Sequence, residues 1–274
     1  MSRRGWTEAA TAGQWLLVVI EVFSAAGCLA FGADVLPRGQ AVFEAECSAC
    51  HGIAGDGQGT EAARFFTRPA DLRRGSFKFR STPSGSLPTD EDLERTIRHG
   101  LPGSGMIAQD HLSEAQVKEV IAYLKTLSPR WSVYGYPPAP IPIVRPANLD
   151  SLVAKGTEMF KNAGCPECHG PEGRGDGPSA KSLTSNGRPT QPADLTRRPF
   201  KGGDRPEDLY RALATGLDGT PMPSYRDALD EEDLWALAVY VAHLVDVRAP
   251  LLISADEEIG REIELRVQPG RRRP

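Results

Sequence analysis

Apolar positions in this 274-residue chain fall on helical spacing in two separate stretches, and neither stretch contains a convincing strand. Leu93 and Ile97 follow Thr89-Asp90-Glu91-Asp92, an acidic opening with N-capping character. Val117, Val120, Ile121, Leu124 and Leu127 follow Ser113-x-x-Gln116, which fits a capping box. The same pair of elements recurs later. Pro206-Glu207-Asp208 leads into Leu209 and Leu213, with Pro in the first turn, where its missing N–H costs nothing. Asp230-Glu231-Glu232-Asp233 leads into Leu234, Leu237, Val241 and Leu244. The pattern predicts an all-α chain built as one unit used twice.

Other segments repeat as well. Arg38-Gly39 and Phe43 reappear as Lys155-Gly156 and Phe160; Pro69-Ala70-Asp71-Leu72 reappears as Pro192-Ala193-Asp194-Leu195; Phe77-Lys78 reappears as Phe200-Lys201. The first copy carries about seven extra residues around Ser81–Leu87. Between the copies, Pro129–Asp150 is rich in proline (Pro137-Pro138-Ala139-Pro140-Ile141-Pro142) and reads as a semi-rigid extended strap. The expected division is residues 1–33 as a leader, 38–128 as domain 1, 129–148 as linker, 149–247 as domain 2 and 248–274 as tail.

The chemistry lies at matching places in the two units. Cys47-Ser48-Ala49-Cys50-His51 and Cys165-Pro166-Glu167-Cys168-His169 are each Cys-x-x-Cys-His, the attachment sequence for a c-type haem. Cysteines three apart project from one side of a helical turn, and the next residue, His, can lie beneath the iron as axial ligand. A redox disulfide or half of a zinc site would also use Cys-x-x-Cys, but neither requires the following His, and here it occurs twice. Two covalently bound haem c groups are therefore expected, held by Cys47, Cys50, Cys165 and Cys168, with His51 and His169 on the irons.

A second axial ligand decides whether such an iron is closed for electron transfer or open for chemistry. Met106 follows Gly100-Leu101-Pro102-Gly103-Ser104-Gly105, and Met222 follows Gly216-Leu217-Asp218-Gly219-Thr220-Pro221. They lie 55 and 53 residues beyond His51 and His169. Gly and Pro make a rigid loop that can press a thioether onto iron; loop methionines packed in apolar gaps are the alternative use of this residue. Matching positions favour Met106 and Met222 as iron ligands. The loops differ after the Met, where Ile107 replaces Pro223, and His99 or His111 could take the place of Met106. Met159 reads as packing and His243 as a rim residue.

Composition narrows the function. Charged residues make up 25% of the chain and the formal charge is −4, which gives no reason to expect nucleic-acid binding. The acidic excess lies in the second unit, where residues 149–247 carry 16 Asp and Glu against 11 Lys and Arg. That could steer a basic partner, although Asp230–Asp233 also suits a helix N-terminus. Haem attachment consumes two cysteine pairs and leaves only Cys28. It also requires export in bacteria. Arg3 and Arg4 precede an apolar stretch, Trp15–Phe31, interrupted by Glu21. A cleaved signal ending near Ala30-Phe31-Gly32, a retained anchor, or lipidation at Cys28 within Ala25-Ala26-Gly27-Cys28 would each fit.

The order of helix, haem loop, short helix and terminal helix resembles class I cytochrome c, twice over. The motifs Gly173-Arg174-Gly175-Asp176-Gly177-Pro178, Gly219-Thr220-Pro221-Met222-Pro223 and Phe77-Lys78-Phe79-Arg80 are similar to those of dihaem cytochromes beside, or fused to, the haem-b-binding domain of ethylbenzene-dehydrogenase-like molybdenum enzymes. The resemblance covers roughly residues 38–247. It implies a periplasmic or membrane-tethered electron-transfer protein rather than an enzyme. Its partners would be redox proteins, such as a molybdenum enzyme or a quinol-oxidising complex. A dihaem peroxidase-like enzyme with one open iron is the alternative. In the tail, Ile263, Leu265 and Val267 alternate as in a strand, ahead of Arg271-Arg272-Arg273.

Overall fold

A computed structural model describes residues 34–65 and 67–244. The expected leader or anchor, Cys28 and the tail lie outside the described residues. Among the described residues, no helix is long and apolar enough to cross a membrane.

Each half contains a long first helix, a four-residue turn, a middle helix and a long last helix. In the first half these are α1 (Val35–Glu46), α2 (Ser48–His51), α3 (Asp90–His99) and α4 (Glu114–Thr126). A short helix α5 (Pro129–Tyr134) follows. The second half has α6 (Val153–Asn162), α7 (Pro166–His169), α8 (Pro206–Thr215) and α9 (Glu231–His243). The middle and last helices of the first half, and the last helix of the second, start where a side chain satisfies free N–H groups. Thr89 and Asp92 exchange hydrogen bonds of 3.2 and 3.1 Å, Ser113 and Gln116 exchange bonds of 3.3 and 2.9 Å, and Asp230 accepts from Asp233 N at 2.8 Å.

First and last helices cross in each half, and a glycine makes the crossing possible. A Cβ on Gly39 would overlap the backbone carbonyl oxygen of Glu119, and one on Gly156 would overlap that of Ala236. One turn further along, rings meet across the same seam: Phe43 with Tyr123 at 5.4 Å, and Phe160 with Tyr240 at 5.2 Å. The first core gathers Phe43, Leu93, Ile97, Val117, Val120 and Ile121. The second gathers Phe160, Leu213, Leu234 and Leu237, with Tyr210 stacked on Trp235 at 4.6 Å.

Two details correct the sequence reading. The proline-rich segment is not extended throughout: Ser128 caps α5, accepting from Arg130 N at 3.3 Å, with Pro129 at a first-turn position that tolerates proline. It is also tied to both halves. Trp131 packs on the first core, Ile141 is buried in the second, and Ile141 N donates to Ser81 O at 2.8 Å. A small hairpin also forms, with Thr184–Ser185 (β1) paired antiparallel to Arg188–Pro189 (β2). Its turn is Asn186-Gly187, with φ of 51° and 78°, the dipeptide best suited to a two-residue turn of this hand.

The acidic run at the start of α9 is also tied down, because Lys155 Nζ lies 2.8 Å from Glu232 and 2.7 Å from Asp233. Those charges serve a helix start and an ion pair before they can serve a partner.

Replacing Gly156 by Ala should destabilise the haem-loaded protein by about 1–3 kcal/mol, because overpacking the crossing outweighs the roughly 1 kcal/mol gained in helix propensity. Denaturant midpoints read through the far-UV signal test this; an unchanged or raised midpoint would mean the helices can part at no cost.

Candidate functional site: two haem-binding loops

The two Cys-x-x-Cys-His segments form matching hydrogen-bonded turns. His51 N donates to Cys47 O and His169 N to Cys165 O, each at 2.9 Å, so the His continues the turn that carries the cysteines. Gly52 and Gly170 then reverse the chain at φ 77°, a conformation that only glycine adopts without strain. Beyond them the loop folds back on itself. Gly57 N and Gly175 N return to the carbonyls of His51 and His169 at 2.8 and 2.7 Å, and Gly59 N and Gly177 N reach Cys50 O and Cys168 O at 3.2 and 3.1 Å.

Both histidines are oriented by a backbone carbonyl. His51 Nδ1 lies 3.1 Å from Ala70 O, and His169 Nδ1 lies 3.0 Å from Ala193 O. A carbonyl can only accept, so Nδ1 carries the proton and Nε2 is left with a free lone pair for a metal. Burial lowers the pKa of both imidazoles against the opposing pull of these carbonyls, which favours the neutral, ligating form. The repeated Pro-Ala-Asp-Leu segments, whose role the sequence left open, supply those carbonyls.

None of the four described cysteines is in a disulfide. Burial first, then Glu46, pushes the Cys47 thiol up to about 11, and burial pushes Cys165 up to about 11. Among the described residues, no group of three or more His, Cys, Asp or Glu forms that could hold a metal ion by itself. The protein therefore offers one imidazole per site, which would suit an iron that takes most of its donors from a porphyrin.

The methionine loops match bond for bond. Leu101 N donates to Met106 O at 2.8 Å and Leu217 N to Met222 O at 3.1 Å. Inside each loop a hydroxyl bridges the turn. Ser104 Oγ donates to Leu101 O at 2.6 Å and accepts from Met106 N at 3.3 Å; Thr220 Oγ1 donates to Leu217 O at 2.7 Å and accepts from Met222 N at 3.2 Å. The exchange of Pro223 for Ile107 leaves this frame intact. The competing histidines are engaged elsewhere or open to solvent: His99 is exposed at the end of α3, His111 is exposed and lies 3.3 Å from Glu46, and His243 bonds its own helix through Val239 O. Met159 packs on the second core.

Three residues past each methionine sits a polar side chain that sequence reading missed. Gln109 N donates to Ile97 O and Tyr225 N to Leu213 O, each at 2.9 Å, so the two are equivalent. The Tyr225 hydroxyl is hydrogen-bonded with Cys165, and burial, with Cys165 and Cys168 beside it, pushes it up to about 12. Gln109 Oε1 is buried with no hydrogen-bond partner among the described residues. An orphaned buried amide is costly. A haem seated against this loop would give that amide a polar partner, so the residues present fit such a group. The only signal for these two was their shared offset from Met106 and Met222.

These features define a tandem c-type cytochrome. Residues 36–128 and 153–245 each match the Cytochrome c family, and the chain belongs to it. Two covalently bound haem c groups follow, one on each Cys-x-x-Cys-His turn. A chain of the Kuenenia stuttgartiensis reducing HAO-like protein complex Kustc0457/Kustc0458 is similar in structure, with a TM-score of 0.73 and 40% identity, covering 76% of this chain and 96% of that one. The cbb3-type cytochrome c oxidase subunit CcoP of Azospirillum brasilense is 26% identical over 217 residues, 77% of this chain and 63% of that protein. CcoP of Helicobacter pylori (strain 52) is 27% identical over 146 residues, 52% of this chain and 39% of that protein. The matches thus span less than two thirds of these curated relatives' length.

Intact mass of the protein matured with haem should show two haem adducts, and Cys47→Ala/Cys50→Ala should lose one of them while keeping the other. Retention of both adducts in that variant would disprove attachment at the first turn.

Proposed function

We propose that the chain is a two-haem electron relay, with His51 and Met106 on the first iron and His169 and Met222 on the second. The observation that carries this reading is the methionine loop, braced by a hydroxyl in the same way in both domains. When bound, each haem supplies a one-electron ferric/ferrous couple. The chain's residues do the rest. The carbonyls of Ala70 and Ala193 fix the imidazole tautomer. Ser104 and Thr220 brace the backbone of the loops that carry Met106 and Met222, and the cysteines would anchor the ring edge covalently. Two fixed axial ligands leave an iron little to rearrange when its charge changes. His/Met pairs also hold the potential above that of bis-His haems. Both sites are closed in this reading, so the chain transfers electrons rather than catalysing a reaction of its own.

The partners we infer are proteins of a multi-subunit redox complex, since similar proteins are named as an oxidase subunit and as part of a reducing HAO-like complex. An ethylbenzene-dehydrogenase-like molybdenum partner is the narrower version, supported only by the sequence motifs noted above. Haem attachment to Cys-x-x-Cys-His in bacteria takes place outside the cytoplasm, and we place the protein there, free or tethered.

The weak red charge-transfer band of methionine bound to ferric iron tests the ligand set. Its intensity should correspond to two such haems, and Met106→Leu and Met222→Leu should each remove about half of it, with the band divided equally between two like sites. A variant that leaves the band unchanged would remove that methionine from the iron and reopen the enzymatic alternative at that site.

A further inference from the structure

Among the described residues, domain 1 reaches across and grips the methionine loop of domain 2. Arg80, in domain 1, has its side chain fully shielded from solvent. It donates to Phe77 O at 3.0 Å and Pro83 O at 3.3 Å within its own domain. The remaining two bonds cross to domain 2, reaching Thr215 O at 2.9 Å and Asp218 Oδ1 at 2.8 Å. Asp218 also accepts from Ser84 Oγ at 3.3 Å and Gly85 N at 3.1 Å. The extra residues of the first copy, Ser81–Leu87, thus deliver three donors, counting the neighbouring Arg80, onto one carboxylate.

That carboxylate lies inside the loop closed by the Leu217 N–Met222 O bond, four residues ahead of Met222. Thr215, the other acceptor, ends the helix that feeds the loop. The far side of the loop is held from domain 2 itself, where Asn186 N donates to Gly219 O at 2.8 Å. The equivalent of Asp218 in the first loop is Pro102, exposed and without a side-chain acceptor. The grip acts in one direction, from domain 1 onto the second haem's loop.

Burial makes this grip stiff. A shielded guanidinium that loses its carboxylate would be left charged and unpaired, so the contact opens reluctantly. Arg80 is pushed down by burial and pulled back up by Asp218, and it stays charged throughout the working range.

We propose that Arg80 is a positioning residue for the second haem: by holding Asp218 it fixes the Met222 loop, so the strength of the Met222–iron bond and the potential of that haem depend on docking against domain 1. This rests on Met222 being the distal ligand. A loosened loop spends more time with the thioether off the iron. Since the methionine raises the potential, loosening lowers it.

The experiment uses the haem-loaded full chain, with spectroelectrochemical titration and the methionine charge-transfer band as readouts. Met222→Leu comes first, since it identifies the second haem's wave and its share of the band. If it leaves the band unchanged, the ligand reading has failed, and the proposal is overturned with it. With that established, Arg80→Met and Asp218→Asn should both move the second wave to lower potential. Coupling between sites is typically about 5–150-fold, so each should raise the methionine-off population about tenfold. The first wave should stay in place. Arg80→Lys keeps the charge but loses the fork, and should follow Arg80→Met in direction. A plain charge effect would instead move Arg80→Met and Asp218→Asn in opposite directions. That result, a common shift of both waves, or no shift, overturns the proposal. Should Arg80→Met fail to fold, Asp218→Asn decides alone: removing a negative charge by itself raises the potential, whereas releasing the loop lowers it.

Discussion

The close approach of two helices at a glycine governs where everything else in each domain can lie. Without a Cβ at Gly39 or Gly156, the first helix reaches the backbone of the last one at Glu119 or Ala236. Phe43 and Phe160 then seat against Tyr123 and Tyr240. The Cys-x-x-Cys-His turn begins within a few residues of the end of that first helix, so the crossing also aims the thiols and the imidazole. The middle helix closes the opposite wall and delivers the methionine loop. Each protein core is small, as expected of domains of this size, and a haem attached at the turn would add to it.

The histidine–carbonyl bond is the second constraint. A ligating imidazole is useful only in one tautomer and one orientation, and side chains alone rarely provide both. Here a main-chain oxygen does it, at Ala70 and at Ala193, in segments braced by Leu72 N to Gly55 O at 2.7 Å and Leu195 N to Gly173 O at 2.6 Å. A glycine-rich loop that looks merely flexible in the sequence is therefore a hydrogen-bonded ring that locks the imidazole's support.

Much of this was legible from the sequence because it is written twice. The thiol and imidazole spacing, the capping character at Thr89, the capping box at Ser113 and the matched methionine positions all rest on local chemistry, and local chemistry leaves a pattern. What stayed hidden depends on contacts between distant segments. Nothing near Arg80 announces that its partner lies 138 residues away. Gln109 and Tyr225 share an offset but no residue type. The strap reads as extended because prolines dominate it, yet Pro129 sits where a helix accepts one and Ile141 is claimed by a core. The hairpin was a different kind of miss: Asn186-Gly187 is a strong local turn signal, overshadowed by the helical periodicity on both sides.

The one-sided grip of the first domain on Asp218 bears on how far this chain can be treated as two modules. Its halves share a plan, but they are no longer exchangeable parts. Separating the halves would leave the second with a bare carboxylate and a bare carbonyl at Asp218 and Thr215, and would uncover in the first the Arg80 cation that the joint now shields. Reversing the order of the halves would put the inserted segment on the wrong side of the joint. A duplicated ancestor could have worked as two beads on a string; in this molecule the insertion has turned the string into a fixed joint with a direction.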